Sequence, residues 1–164
     1  MNHAHHDHQR HGHAHDHKDG SADLSRTAWS ATLHCLTGCA IGEVLGMVLG
    51  TYWGWGAGAT IALAVVLAFA FGYALTMLPL VRRMPLRKAA SLALAADTAS
   101  IAVMELVDNL VMLAIPGAMD AGLASPLFWG SLAFALAVAA VAAFPVNRWL
   151  IARGMGHAVV HAHH

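Results

Sequence analysis

The stretch DTASIAVMELVDNLVM, residues Asp97 to Met112, sets three carboxylates inside a run that is otherwise apolar enough to cross a bilayer. Each acidic residue near the centre of a membrane helix costs about 2.5 to 3.5 kcal/mol on insertion scales. Asp97, Glu105 and Asp108 therefore carry a joint penalty of about 7 to 10 kcal/mol unless something compensates them. At about 100° per residue, Asp97, Met104, Glu105, Asp108 and Met112 share one face, whereas Val103, Leu106, Leu110 and Leu113 lie elsewhere. Such a face must look into a bundle, toward a partner helix, a metal or water. Acids hydrogen-bonded only for packing would explain one such residue better than a stripe of three.

The rest of the chain has the composition of an integral membrane protein. Of 164 residues, 58% are hydrophobic and only 11% charged, too apolar a balance for an ordinary soluble domain. Four apolar segments are long enough to span a hydrocarbon core, which takes roughly 20 helical residues. The sequence predicts them at 29–51, 57–80, 89–115 and 127–151. The expected architecture is an all-α four-helix bundle over 28–153, flanked by tails at 1–27 and 154–164.

Formal net charge is zero, so nothing in the balance points to nucleic acid. The distribution is more informative. Arg10, Lys18 and Arg26 precede the first span, Arg82, Arg83, Arg87 and Lys88 separate the second from the third, and Arg148 and Arg153 end the fourth. The other two loops contain no Lys or Arg, so the positive-inside rule predicts cytoplasmic amino and carboxyl termini. The polar amino terminus has no apolar h-region and reads as a retained tail rather than a cleaved signal. A bacterial inner (cell) membrane, with the lipid bilayer as the main partner, is the simplest expectation.

Residues Asn2 to Lys18 hold eight histidines with Asp7 and Asp16, and almost nothing apolar that could build a core. This composition predicts a disordered tail that can wrap Cu, Zn or Ni ions with little geometric demand. His157, His161, His163 and His164 form a second cluster on the same predicted side. A cytoplasmic metal donor or acceptor would meet the protein there.

The first span, HCLTGCAIGEVLGMVLG from His34 to Gly50, carries two ridges with a repeat of four. Gly38, Gly42, Gly46 and Gly50 make a small-residue contact line of the kind used in membrane helix packing, which suggests a homo-oligomer as well as internal packing. Cys35, Cys39, Glu43 and Met47 make a ladder of donors spaced about 6 Å apart along the axis. The cysteines lie in a compartment expected to be reducing, so they read as thiols or ligands rather than a disulfide. The first and third spans run in the same direction. A shared site of Cys39, Glu43, Asp97, Met104, Glu105 and Asp108 follows, with Cys39 at the depth of Asp97 and with His34 and Cys35 at its cytoplasmic mouth. Thiolate, thioether and imidazole donors suit copper or zinc, while carboxylates favour harder ions or protons.

The second and fourth spans read as scaffold, with Tyr73, Thr76, Pro145 and Asn147 as their notable groups. No zinc-finger spacing, phosphate-cradling glycine loop, nucleophile elbow or HExxH helix is present. A bis-His haem would need a second chain or a Met partner, because His34 is the single histidine within a span.

The segments HCLTGCAIGE (34–43), LAADTASIAVMELVDN (94–109), IPGAMDAGL (115–123) and LFWGSLA (127–133) resemble an uncharacterised bacterial family of small four-helix membrane proteins, classed as a domain of unknown function. The resemblance runs from Thr32 to about Ala158. It implies the four-span fold, marks His34, Cys35, Cys39, Glu43, Asp97, Glu105 and Asp108 as motif positions, and supplies no activity. The residues themselves lead to a transition-metal site used in metal transport or homeostasis. Two rivals use the same residues: a membrane oxidoreductase binding a redox metal or haem and quinone, and a non-catalytic accessory subunit whose acids order the bundle.

Overall fold

The computed structural model describes residues 13–82 and 84–153 as four helices: α1 His13–Tyr52, α2 Ala57–Val81, α3 Leu86–Ala114 and α4 Pro126–Ala152. No strand occurs among the described residues. Turn chemistry explains the boundaries. Gly54, at φ 67°, ends α1 in the left-handed conformation that glycine adopts without steric cost. The Trp55 N–H reaches back to the Gly50 carbonyl and the Gly54 N–H to that of Thr51, the paired bonds of a Schellman cap. At the start of α4, Pro126 occupies the first turn and the Ser125 hydroxyl accepts from the Leu127 N–H at 3.3 Å.

Three helices contain a run long and apolar enough to cross a membrane: α1 from Ser21 to Tyr52, α2 and α4. The third, α3, qualifies when its halves Leu86–Ala95 and Asp97–Ala114, bent by 45°, count as one span. The Thr98 hydroxyl bonds back to the Leu94 carbonyl across that bend and also meets the Tyr73 hydroxyl of α2 at 2.9 Å. Back-bonding of this kind commonly bends helices. The start of α1 at His13 makes 13–27, which composition assigns to a disordered tail, helical. The remaining tail histidines, His3 to His11, and the carboxyl-terminal cluster lie outside the described residues.

The helices alternate in direction around a ring, α1 beside α2 and α4, α3 beside the same two, and α1 diagonal to α3. One end of the bundle carries the start of α1, the end of α4 and the α2–α3 turn; the opposite, loop end carries the α1–α2 and α3–α4 connections. All five tryptophans are 45 to 52% exposed and lie toward these two ends, the half-wet setting of an interfacial belt. Val66, Leu106, Leu110, Leu113 and Val141 face outward, as lipid-facing residues would.

The glycine ridge of α1 is taken up inside the chain. A Cβ on Gly38 would fall 2.6 Å from the Gly72 Cα, and those on Gly42, Gly46 and Gly50 would run into Ala68, Ala64 and Thr60. Thr60, Ala64, Ala68, Gly72 and Thr76 thus form a second small-residue line on α2, antiparallel to the first. With α2 seated on it, the ridge is no free seam for a second copy, and α2 acts as the complementary half of the zipper.

Candidate functional site

The zipper fixes the rotation of α1. With its glycines against α2, the neighbouring ridge of Cys35, Cys39 and Glu43 turns into the middle of the bundle, where the polar face of α3 meets it. Cys35, Cys39, Glu43, Asp97, Met104, Glu105 and Asp108 are all buried, none more than 4% exposed. The Cys35 thiol lies 3.9 Å from Asp97 Oδ1, Cys39 lies beside Glu105, and Glu43 lies beside both Asp108 and Glu105. Three successive turns of α1 therefore face acids of α3 that stand eight and three residues apart. The register differs from the depth expectation by one turn, because Cys35 rather than Cys39 stands opposite Asp97. Counting residues from a membrane boundary treats both helices as straight rods, whereas α3 bends just before Asp97.

Small side chains surround the ladder. Ala68 of α2 and Ala139 and Ala143 of α4 pack in one cluster with Cys35, Cys39, Ile101 and Met104. None of them offers a hydrogen-bonding side chain. Both carboxylate oxygens of Glu43 and of Glu105, and Oδ1 of Asp108, are buried with no partner outside the ladder, where Glu43 and Asp108 meet each other and Cys39 meets Glu105. Among the described residues no cationic side chain acts on these three acids. An unpaired ionised carboxylate in such surroundings is very costly, so the group is incomplete as an ionised protein site: protons or a bound cation must supply the missing charge.

The fit to a metal is partial. Carboxylate oxygens, two thiols and a thioether are a competent donor set. Among the described residues, however, no three His, Cys, Asp or Glu side chains converge as a ready metal-holding group. The donors are strung along the bundle axis, and an ion would have to draw them together.

His34 is brought elsewhere. Its half-buried imidazole donates to the backbone carbonyl of Leu75 on α2. That carbonyl lacks its usual helical partner because residue 79, four positions on, is a proline without an N–H. Met104 is buried at the centre of the cluster, within the ladder.

The sequence reading missed two groups and underrated two others. Ser100 is fully buried on the acidic face beside Cys35, and its spacing of three from Asp97 signals this. Thr76 of α2 reaches Asp97. Thr32 and Asn147 join α1 to α4 toward the terminal end: the Asn147 amide donates to the Thr32 hydroxyl at 2.8 Å, which itself donates to the Ala28 carbonyl at 2.9 Å. A polar residue isolated in an apolar span was the available signal for each.

The family model described as domain of unknown function (DUF4396) matches residues 25–156, a range that contains the whole ladder. No curated protein and no solved structure matches the chain.

Proposed function

The chain belongs to this family of unknown function, and on that premise we propose that it is a transition-metal-binding membrane protein acting in metal transport or homeostasis, with copper or zinc as the ion. The observation that carries the reading is the buried set of Glu43, Glu105 and Asp108, which meets no cationic side chain at the centre of a lipid-facing bundle. A cation held between Glu43 and Asp108, with Cys39 and Glu105 drawn in from the next level, compensates the charge. Cys35 with Asp97 offers the next station toward the terminal end, one turn or about 6 Å along α1 from Cys39 and eight residues along α3 from Glu105. Both termini are cytoplasmic in this reading, in a bacterial inner membrane, so the His-rich tails buffer the ion that the ladder exchanges.

One observation favours a second reading. Because no three donors converge, the acids also suit a bundle ordered by shared protons, as in an accessory subunit. The two separate on full-length protein whose tail histidines are changed to serine, purified reduced and metal-replete. The metal reading expects bound copper or zinc near one ion per chain and ion flux into proteoliposomes. A metal-free protein with no flux refutes it, and a Soret band or quinone reduction would move the assignment to the oxidoreductase.

A further inference from the structure

At the loop end, a cavity of about 250 Å³ opens between the α1–α2 turn and the 115–125 connection. Its walls include Met47 and Thr51 of α1, Trp55, Thr60 of α2, and Met119 and Asp120 of the α3–α4 connection. Met47 stands one turn beyond Glu43 on the same ridge, and Met112 one turn beyond Asp108 on α3. Met47 and Met119 pack against the apolar cluster that contains buried Met112. Two thioethers, those of Met47 and Met119, thus line an open cavity, and a third, Met112, is buried in the cluster they pack against.

We propose that this cavity is a binding site for a soft monovalent cation, Cu(I) or Ag(I), with the thioethers of Met47 and Met119 as ligands. A thioether is neutral and polarisable. It binds soft ions well and gives a hydrated hard cation little in exchange for its water. Exposed Asp120 adds a negative charge that raises the local cation concentration, and Trp55, packed against Trp53 at 5.1 Å, lines the same cavity. Thr51 and Thr60 supply hydroxyls that keep the cavity wettable. A loading role, in which the ion passes from Met47 to Glu43, rests on the metal reading of the ladder; the site itself does not.

The test uses full-length protein labelled with ¹³C at the methionine methyl groups, titrated separately with Ag(I) and Zn(II) and observed by methyl NMR. Met47→Leu and Met119→Leu assign the two signals and preserve apolar volume. The expected result is that both signals shift with Ag(I) and stay in place with Zn(II), that Met77 on α2 does not move, and that either substitution abolishes the shift of the other methionine. Unshifted Met47 and Met119, or a shift of each that survives loss of the other, would overturn the shared site and leave the two as gap-filling side chains. Glu43→Gln in the same titration keeps the two failures apart. The methyl shifts should persist in that variant even if metal analysis finds nothing in the ladder, in which case only the loading role is lost.

Discussion

Replacing His34 with leucine should unfasten α1 from α2 at one defined atom. Pro79 has no N–H, so the Leu75 carbonyl has no partner within its own helix, and the His34 imidazole supplies one from α1. Leucine keeps much of the volume and removes the donor. A half-buried carbonyl left unpaired costs about 1 to 3 kcal/mol, and more where the surroundings are hydrocarbon. Pro79→Ala returns an N–H to the position four residues on, which can close the ordinary helical bond to Leu75. In that background His34→Leu should cost little, giving a coupling of about 1 to 2 kcal/mol between two residues that are 45 positions apart in sequence. Reversible unfolding of the four proteins of this cycle in bicelles measures it. Additive effects, within about 0.5 kcal/mol, would refute the assignment of the imidazole to Leu75. Metal content should not change along the cycle, since the imidazole is engaged by the Leu75 carbonyl.

The zipper predicts opposite signs for two glycines. Gly42→Ala drives a methyl into the backbone of Ala68, which cannot rotate aside, and should destabilise by about 1 to 3 kcal/mol, whereas Gly130→Ala meets nothing within 4 Å and should stabilise by up to about 1 kcal/mol, both read by thermal unfolding in detergent. Labelling of single cysteines introduced at Asp120 and at Lys88, in a Cys35→Ala/Cys39→Ala background, should find the former outside and the latter inside; the reverse would overturn the orientation taken from the basic residues. Changing the histidines of residues 3–17 to serine should lower total bound metal without a change in melting temperature, because a chelating tail contributes capacity rather than packing.

The four helices were legible because apolar length and proline boundaries are local signals. The sequence places α4 within a residue of its observed ends and α2 within one as well. The central ladder was legible for a similar reason: three acids on one face of α3 and a four-residue repeat on α1 can be read from a single helix each. What depends on pairs of helices was not. The partner of the glycine ridge was hidden in α2, where Thr60, Ala64, Ala68, Gly72 and Thr76 repeat every four residues within a helix apolar on all sides, so no polar contrast marks the contact face. The one-turn register shift of Cys35 onto Asp97 needs the bend of α3, and the pairing of His34 with Leu75 is hidden in the sequence because the orphan carbonyl is created by a proline 45 residues away.

Glu43→Gln and Asp108→Asn show whether the buried acids wait for a cation. Each amide keeps the volume and hydrogen-bonding reach of the acid and removes its charge. Metal content and melting temperature of both variants, measured beside the parent on protein whose tail histidines are serine, give the two readouts together. Bound copper or zinc should be lost in each variant while the bundle still melts cooperatively. Unchanged metal content, or a metal-free parent whose melting temperature rises with each amide, would contradict it, because relief of a buried uncompensated charge is what a purely structural acid predicts.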